Sequence, residues 1–378
     1  MPEARVVAFY LPQFHPIPEN DEWWGAGFTE WTNVAKAKPL FAGHHQPRLP
    51  ADLGFYDLRV PETREAQARL AADCGVEAFC YWHYWFGNGR RILERPFEEV
   101  RDCGKPDFPF CLAWANQTWS GIWHGNPQSV LIKQEYPGAE DEAAHFAWAL
   151  PAFQDPRYMR VDGKPIFVIF APHDLPSTTD YIRHWRQLAE AAGLPGLYFV
   201  AVSNKYAPGI DIYRNPILEP FDAVTPLVPQ DFLDTAGWES RHDVGRILRE
   251  RYLGPRFDRW TKAIRRPARF PFEKVVSLAL ETMPDEARFL PCVLPGWDNT
   301  PRSGPRGVVY EGSTPEAFER YLAKAVAKVK ARPPQQRIVF LKAWNEWAEG
   351  NYVEPDAEHG HGYLDAIRRV VDGPGRPG

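Results

Sequence analysis

Eight short apolar runs, most of them followed by a helical pattern, constrain the fold of this chain more than any other feature of its sequence. They are Val6–Tyr10, Glu77–Trp82, Phe110–Trp114, Pro165–Phe170, Leu197–Val202, Phe221–Thr225, Leu290–Leu294 and Ile338–Leu341. Short apolar runs bounded by turn residues are typical of strands that are buried on both faces. Because these strands alternate with helices, they predict a parallel sheet. Eight such units predict an α/β fold, a single (β/α)8 TIM-type barrel with elaborated βα loops.

A doubly wound sheet is the structural alternative. It is disfavoured because no G-x-G-x-x-G sequence follows the first strand. The barrel is predicted to be one catalytic domain over residues 1–372, and the Gly- and Pro-rich residues 373–378 are predicted to be a flexible tail. The segment 23–50 has no clear periodicity and is predicted to be a long loop over the barrel mouth.

Charge and composition exclude several classes of function. The net charge of -5 creates no field that would attract nucleic acid or an anionic membrane. The first residues lack a secretory signal pattern, no apolar run approaches 18 residues, and the five cysteines do not form a disulfide framework. A cytoplasmic location is therefore expected, with no integral membrane segment. The 15 tryptophans favour a flat ligand such as a sugar ring, although core packing uses tryptophan too.

Polar and aromatic residues are concentrated where the predicted strands end. In a (β/α)8 barrel these ends face one mouth, where active sites lie. A single Trp or His at a strand end is more often a packing residue than a ligand contact, but the same placement on several strands predicts a site. The predicted substrate-binding residues are His15, Trp31, His83, Tyr84, Trp85, Trp114, Asn116, Trp119, Trp297, Asp298, Asn299, Arg302, Trp344, Asn345 and Trp347.

Glu346 and Glu349 are the predicted catalytic residues. They follow the last strand and lie three residues apart among tryptophans, where a charge must be paired or must shift its pKa. Glycoside hydrolysis uses a carboxylate pair of this kind. The alternative is a buried structural pair that forms salt bridges with Arg or Lys. Because residues i and i+3 of a strand point to opposite faces, the prediction requires a bend after Trp344, for which Gly350 gives freedom.

No metal or other cofactor is predicted. The sequences His44-His45 and His359-Gly360-His361 lack the carboxylate or cysteine partners of a recognisable metal site. The chain has no G-x-S-x-G nucleophile elbow and no phosphate-binding G-x-x-x-x-G-K-[ST] loop. It also has no D-x-D, the usual anchor for a metal and a sugar nucleotide.

Six motifs together resemble the WbsX-like family over nearly the whole chain. They are residues 8–15 (AFYLPQFH), 27–31 (GFTEW), 79–85 (FCYWHYW), 114–116 (WAN), 297–302 (WDNTPR) and 344–350 (WNEWAEG). That family is in turn similar to the family 99 glycoside hydrolases, the endo-α-mannosidase and endo-α-mannanase group. The resemblance implies a metal-free, retaining barrel enzyme. It also implies that Glu346 is the base that deprotonates the sugar 2-hydroxyl, and that Glu349 is the acid that protonates the leaving oxygen.

The resemblance therefore predicts a retaining glycoside hydrolase or transglycosidase that cleaves internal α-linked glycans through a 1,2-anhydro sugar, linked to bacterial surface polysaccharide metabolism. The expected partner is an oligo- or polysaccharide. Direct attack by a carboxylate remains an alternative mechanism. Two other functions stay open: a glycosyltransferase of O-antigen or capsule biosynthesis, as WbsX-like proteins are commonly described, and a non-catalytic glycan-binding barrel.

Overall fold

A computed structural model describes residues 2–121, 126–203, 211–227 and 266–373 of the chain. Eight parallel strands form its central sheet: β1 (Arg5–Tyr10), β2 (Val76–Trp85), β3 (Phe110–Trp114), β4 (Lys164–Ile169), β5 (Tyr198–Ser203), β6 (Ala223–Pro226), β7 (Cys292–Val293) and β8 (Ile338–Leu341). Their spatial order is β6-β5-β4-β3-β2-β1-β8-β7. Val224 of β6 also forms a parallel bridge to Phe289, just before β7, which brings the two edges of the sheet together. The predicted barrel is confirmed.

Helices surround this barrel. Those in the described ranges are α1 (Pro18–Trp24), α2 (Glu30–Lys36), α3 (Pro61–Cys74), α4 (Arg95–Cys103), α5 (Ala139–Gln154), α6 (Thr178–Ala191), α7 (Phe272–Thr282), α8 (Thr300–Ser303), α9 (Pro315–Val329) and α10 (Gly362–Asp372). Short 3-10 turns lie at Pro172–Asp174, Pro216–Leu218, Gly304–Arg306, Pro334–Gln336 and Trp347–Glu349. Within the described ranges, every helix is too short or too polar to cross a membrane.

Short strands decorate both ends of the barrel. Their bounds are Arg91–Ile92, Trp119–Gly121, Asn126–Ile132, Arg160–Val161, Ala268–Pro271, Val308–Glu311, Asn345–Glu346 and Asn351–Tyr352. The last two pair antiparallel with each other directly after β8. This small hairpin lies at the carboxyl end of the barrel, where the sequence predicts the site.

Aromatic side chains fill part of the barrel interior. Phe9 of β1 stacks on Trp82 of β2, with 4.7 Å between the ring centroids, and on Phe340 of β8, at 5.2 Å. All three rings are buried. Ring packing therefore joins three neighbouring strands in addition to their backbone hydrogen bonds. These packed rings lie in the barrel below the site.

The predicted long loop at 23–50 is partly wrong, because it contains the end of α1 and the whole of α2. Helix α2 begins after Thr29, whose side chain forms a reciprocal capping box with Thr32. This local hydrogen bonding gives a short helix that apolar periodicity does not reveal. The single-domain organisation over 1–372 stays a prediction, and residues 374–378 of the predicted tail lie outside the described residues.

Candidate active site

The required bend is present immediately after β8. Residues Asn345–Glu346 form one strand of the hairpin, and the 3-10 turn Trp347–Glu349 follows it. Gly350 then adopts φ 57°, a left-handed conformation that favours glycine. A Cβ atom on Gly350 would also meet the Cβ of Asp298 at 2.9 Å. The hairpin therefore depends on a glycine both for its turn and for its close approach to the loop after β7.

Both predicted catalytic carboxylates converge on one buried lysine. Lys342 Nζ donates to Glu346 Oε2 at 2.8 Å and to Glu349 Oε2 at 3.0 Å. Each glutamate is 5% exposed. The lysine ammonium also lies 5.0 Å from the centroid of the Trp297 ring, in a cation–π arrangement. Glu346 and Glu349 thus point to the same place, as the sequence-based prediction requires.

A second cation connects this pair to a third carboxylate. Arg302 donates from Nη1 to Glu349 Oε1 and from Nη2 to Glu30 Oε1, both at 2.7 Å. Glu30 Oε1 also accepts the Ala348 N–H at 2.9 Å, so α2 is tied to the hairpin. We call Glu30, Arg302, Lys342, Glu346 and Glu349 the carboxylate cluster. Its three carboxylates and two cations leave one net negative charge when all are ionised, which one bound proton neutralises.

The surroundings push the pKa values of the two glutamates in opposite directions. Burial raises the pKa of Glu346 well above its ordinary value, and Lys342 opposes this only in part. Burial would also raise the pKa of Glu349, but Lys342 and then Arg302 outweigh it and hold that pKa well below the ordinary range. A hydrogen bond between the two carboxyl groups acts in the same directions. The surroundings therefore favour a proton on Glu346 over one on Glu349.

Aromatic rings lead away from the carboxylate cluster on the β2 side. Burial raises the pKa of the Tyr84 phenol, and the negative charge of the Glu346 carboxylate raises it further. Tyr84 therefore lies on the side of β2 that faces the cluster. The Tyr84 ring meets the Trp119 ring edge-on at 5.1 Å, and Trp119 lies 6.1 Å from Trp23 of α1. These rings, and Trp297 against Lys342, place aromatic surface beside the carboxylate cluster.

Asp298 supports the site through hydrogen bonds. Its backbone N–H donates to the Glu349 carbonyl at 2.6 Å. Its carboxylate accepts from Gln46 Nε2 at 2.7 Å and from the Thr300 hydroxyl at 2.6 Å, and it lies 2.8 Å from His44 Nε2. Because His44 Nδ1 accepts the Leu40 N–H, the ring hydrogen is on Nε2 and donates to Asp298. The structure thus makes Asp298 a positioning residue behind Glu349.

Four other predicted residues hold the loops in place around the hairpin. The side chain of Asn345 bonds both backbone groups of Leu11, and Asn299 Oδ1 accepts the Val308 N–H at 2.7 Å. Trp347 donates from Nε1 to the buried Glu354 at 2.7 Å. Trp31 packs 5.2 Å from the Trp347 ring. These residues fix the geometry of the turn from behind.

Residues on the outward face of β2 do not join the cluster. His83 Nε2 lies 2.9 Å from His145 Nε2 of α5, and Trp85 stacks on the same His145 ring at 4.7 Å. Successive residues of a strand point to opposite faces, so an inward Tyr84 places His83 and Trp85 outward. We call His83 and His145 the histidine pair.

Four further predicted residues are also placed away from the carboxylate cluster. Trp114 donates from Nε1 to the Trp85 carbonyl and stacks on Tyr181 of α6. Asn116 bonds both backbone groups of Ala171 and so joins the loops after β3 and β4. The other two are likewise buried: Trp344 packs 5.1 Å from Phe79, and burial lowers the pKa of His15, which the Asp57 carboxylate opposes in part.

The sequence-based prediction missed Lys342, Glu30 and His44 as parts of the site. Lys342 lies four residues before Glu346 in the same stretch of sequence. It could have been predicted, because two buried acids require a nearby cation. Glu30 lies within the motif at 27–31. His44, considered above for a metal, is bonded to Asp298 instead. Among the described residues no group of three or more His, Cys, Asp or Glu is placed to hold a metal ion.

The fold and the site together define a class: a (β/α)8 barrel with a buried, cation-bound carboxylate pair beside tryptophans at the carboxyl ends of its strands. The chain belongs to the family whose model is described as Glycosyltransferase WbsX, which matches residues 6–367. This confirms the family resemblance that the motifs indicate.

Two curated relatives match almost the whole chain. Both are called uncharacterized protein WxcX and come from Xanthomonas campestris pv. campestris. The protein of strain B100 is 39% identical over 369 residues, and that of strain ATCC 33913 is 38% identical over the same length. The match covers 97% of this chain but 50% of each relative, so the chain spans about half the length of the relatives it matches.

Solved structures share the fold at low sequence identity. A glycoside hydrolase-like protein matches with a TM-score of 0.59 and 16% identity, covering 97% of this chain and 94% of its own. The GH99 endo-alpha-mannosidase from Bacteroides thetaiotaomicron, solved with bis-tris-propane, matches with a TM-score of 0.55 and 15% identity, covering 97% and 96%. These likenesses establish a common barrel fold.

Proposed function

We propose that this chain is a family 99-like retaining glycoside hydrolase or transglycosidase that acts on internal α-linked glycans, within bacterial surface polysaccharide metabolism. The observation that carries the proposal is the convergence of Glu346 and Glu349 on Lys342 Nζ at the carboxyl end of the barrel. A purely structural pair requires only a cation, and it does not require the row of aromatic rings that begins at Tyr84. Both features together support sugar chemistry.

In the proposed reaction each carboxyl group moves one proton. Glu346 removes the proton from the sugar 2-hydroxyl while that oxygen attacks the anomeric carbon. The bond to the leaving oxygen breaks, and Glu349 gives its proton to that oxygen. The resulting 1,2-anhydro sugar is opened by water or by an acceptor hydroxyl, whose proton passes to Glu349, and Glu346 returns its proton to the sugar. Two inversions at the anomeric carbon give net retention.

The ligand-free charge state is the reverse of the starting state that this reaction requires. At rest Glu346 holds the proton, whereas the first step needs it on Glu349. Both carboxyl groups bond to the same Lys342 ammonium, and each shifts the pKa of the other, which supports the passage of one proton between them. We propose that a glycan hydroxyl replaces a Lys342 bond when it binds, and that this substitution transfers the proton to Glu349.

The decisive experiment is a screen of glycans and aryl glycosides in which NMR follows the anomer of the first-formed product. We expect cleavage or transfer with retention of configuration. Inversion would rule out the anhydro-sugar reaction. The roles within the pair are tested with Glu349→Gln: if Glu349 is the acid, this variant should lose activity on a substrate with a poor leaving group and still form the first product from an activated aryl glycoside.

A glycosyltransferase is the second candidate, and the description of the matching family model favours it. The carboxylate cluster would then deprotonate an acceptor hydroxyl. This reaction requires affinity for a sugar nucleotide or a lipid-linked sugar, which should raise the melting temperature. If no such donor shifts the melting temperature while a glycan does, the hydrolase proposal stands. The third candidate, a non-catalytic glycan-binding barrel, needs no carboxylate pair and predicts that Glu346→Gln causes no loss of activity.

A further inference from the structure

Glu30 is remote in sequence from the rest of the carboxylate cluster, yet it contacts both the catalytic turn and a cation of the cluster. Its Oε1 accepts hydrogen bonds from Arg302 Nη2 at 2.7 Å and from the Ala348 N–H at 2.9 Å. Its side chain is almost completely buried. Because Ala348 lies between Glu346 and Glu349, Glu30 is held directly behind the carboxylate pair.

Helix α2 fixes Glu30 in this position. The Glu30 N–H donates to the Gln13 carbonyl at 2.9 Å. The next residue, Trp31, donates from Nε1 to the Tyr56 carbonyl at 2.8 Å and packs 5.2 Å from the Trp347 ring. The fold therefore places Glu30 against the hairpin through contacts that do not involve Arg302.

Arg302 divides its positive charge between Glu30 and Glu349. One guanidinium nitrogen bonds each carboxylate, and both distances are 2.7 Å. Burial would lower the pKa of Arg302, but the charges of Glu30 and then Glu349 outweigh it and hold that pKa above its ordinary value. Arg302 is therefore only in part available to neutralise Glu349.

The number of charges in the cluster depends on Glu30. With Glu30 ionised, two cations face three carboxylates, and a buried net charge is costly. One proton on the pair of Glu346 and Glu349 removes that charge. Without the charge of Glu30, two cations would face two carboxylates, and the pair would need no proton.

Among the described residues, the other titratable groups near the pair do not alter this count. Burial raises the pKa of the Tyr84 phenol, and it raises the pKa of the Cys292 thiol to about 12. Both groups are therefore neutral at pH 7, although the charge of Glu346 acts on each. The Asp298 carboxylate behind the hairpin has a positive charge of its own nearby, on Arg48.

We propose that Glu30 is a positioning residue: by taking up part of the Arg302 charge, it makes the pair of Glu346 and Glu349 retain one proton at neutral pH. A general acid must hold such a proton before it can protonate a leaving oxygen. The catalytic consequence rests on the function proposed above, whereas the count of charges does not.

Infrared difference spectroscopy of the whole chain at pH 6 tests the proposal without a substrate, because it detects the C=O stretch of a protonated carboxyl group. We expect the unsubstituted chain to show a band that Glu346→Gln lacks, and Glu30→Gln to lack the same band. Burial raises the pKa of Glu354 to about 7, so this residue also contributes a band. That band is common to the three chains and cancels in the differences.

A double variant separates the charge of Glu30 from its structural role. Glu30→Gln keeps an acceptor oxygen for the Ala348 N–H, and circular dichroism checks that it folds. Glu30→Gln/Arg302→Gln leaves one cation for two carboxylates, so the band of the pair should return. A purely structural disturbance would not be reversed by a second substitution.

Glu354→Gln is the matched control. Glu354 is as buried as Glu30 and accepts a hydrogen bond from Trp347 of the same turn, but its hydrogen bonds in the described chain come from uncharged groups. This variant should lose only its own band. Three results would each overturn the proposal: no band that Glu346→Gln removes, a band that persists in Glu30→Gln, or no return of the band in the double variant.

Turnover gives a second measurement. On a glycan with a poor leaving group, Glu30→Gln should lower kcat about 10²-fold, because the general acid has lost its proton. On an activated aryl glycoside the loss should be much smaller, and equal losses on both substrates would contradict a role through the acid. If the unsubstituted chain turns over no glycan, the proposed function fails, and the infrared bands still decide the role of Glu30.

Discussion

The carboxylate cluster and the histidine pair are two buried polar groups at the same end of the barrel, and they are stabilised in different ways. In the cluster, Glu346 and Glu349 are charged or share a proton, and Lys342 bonds both. In the pair, His83 and His145 share one hydrogen bond and are enclosed by aromatic rings. Burial lowers the pKa of both histidines, so both are neutral at pH 7.

The difference shows that an inward or outward position on the strand decides what a polar residue can do. Tyr84 points towards Glu346, whereas its neighbour His83 points towards α5. The inward side chain faces the carboxylate cluster, whose charges Lys342 and Arg302 hold in place. The outward group meets apolar rings and serves packing. Four predictions, from the largest expected effect to the smallest, test this distinction.

Glu349→Gln should reduce kcat on a glycan with a poor leaving group by about 10²–10⁴-fold, the usual contribution of a general acid or base. His83→Gln should change kcat by less than tenfold, because the histidine pair does not face the reaction. Turnover is measured on the substrate identified by the glycan screen, with circular dichroism to confirm folding of both variants. A comparable loss in the two variants would remove the functional distinction between the two regions.

Lys342→Met should lower the free energy of unfolding by about 3–5 kcal/mol, because it removes the cation that bonds both buried carboxyl groups and leaves Glu349 with Arg302 alone. His145→Phe breaks an uncharged hydrogen bond and should cost about 1–3 kcal/mol. Denaturant unfolding measures both. The double variant Lys342→Met/Glu346→Gln should be less destabilised than Lys342→Met alone, since it also removes an ionisable group. A Lys342→Met variant as stable as the unsubstituted chain would mean that Lys342 does not neutralise the pair.

Gly350→Ala should lower both stability and activity, because the added Cβ meets Asp298 at 2.9 Å in addition to the left-handed strain. Gly360→Ala is the matched control: its φ is 54°, and an added Cβ meets nothing within 4 Å. The strain common to both should cost about 1–2 kcal/mol. Any further loss of stability or activity in Gly350→Ala measures the close approach of Gly350 to Asp298, which positions Glu349. Equal effects in thermal unfolding and turnover would contradict this positioning role.

The two regions should respond to pH in opposite directions. The raised pKa of Glu346 gives stability that is fully present below the unfolded carboxyl pKa of about 4.3 and declines as pH rises towards the folded value. The lowered pKa values of the histidine pair give stability that is present above the unfolded value of about 6.5 and is lost as pH falls below it.

Melting temperatures between pH 5 and 9 measure this contrast. Relative to the unsubstituted chain, Glu346→Gln should lose the decline on the alkaline side, and His145→Phe should show a smaller decline on the acid side, since His83 keeps its own lowered pKa. The lowered pKa of Glu349 does not interfere, since its contribution is already complete above pH 5. If the melting temperature of Glu346→Gln still declines at alkaline pH, the raised pKa does not belong to Glu346.

The sequence could also have predicted part of the division between these regions. Once β2 is assigned, alternation along the strand separates Tyr84 from His83 and Trp85, although all three lie at the same strand end. A buried acid pair likewise calls for a cation, which Lys342 supplies from four residues away. By contrast, Glu30, His44 and Gln46 come from segments more than 250 residues away from the partners they bond. No local pattern encodes such contacts.

By itself, the sequence determined the eight strands, their barrel and the position of Glu346 and Glu349 after the last strand, because apolar periodicity and turn residues act over short distances. Only the tertiary structure decided that both carboxyl groups meet at Lys342, that Arg302 joins Glu349 to Glu30, and that the pKa values of the two glutamates shift in opposite directions. Burial and the distances between charges set these properties, and both arise only when distant segments pack together.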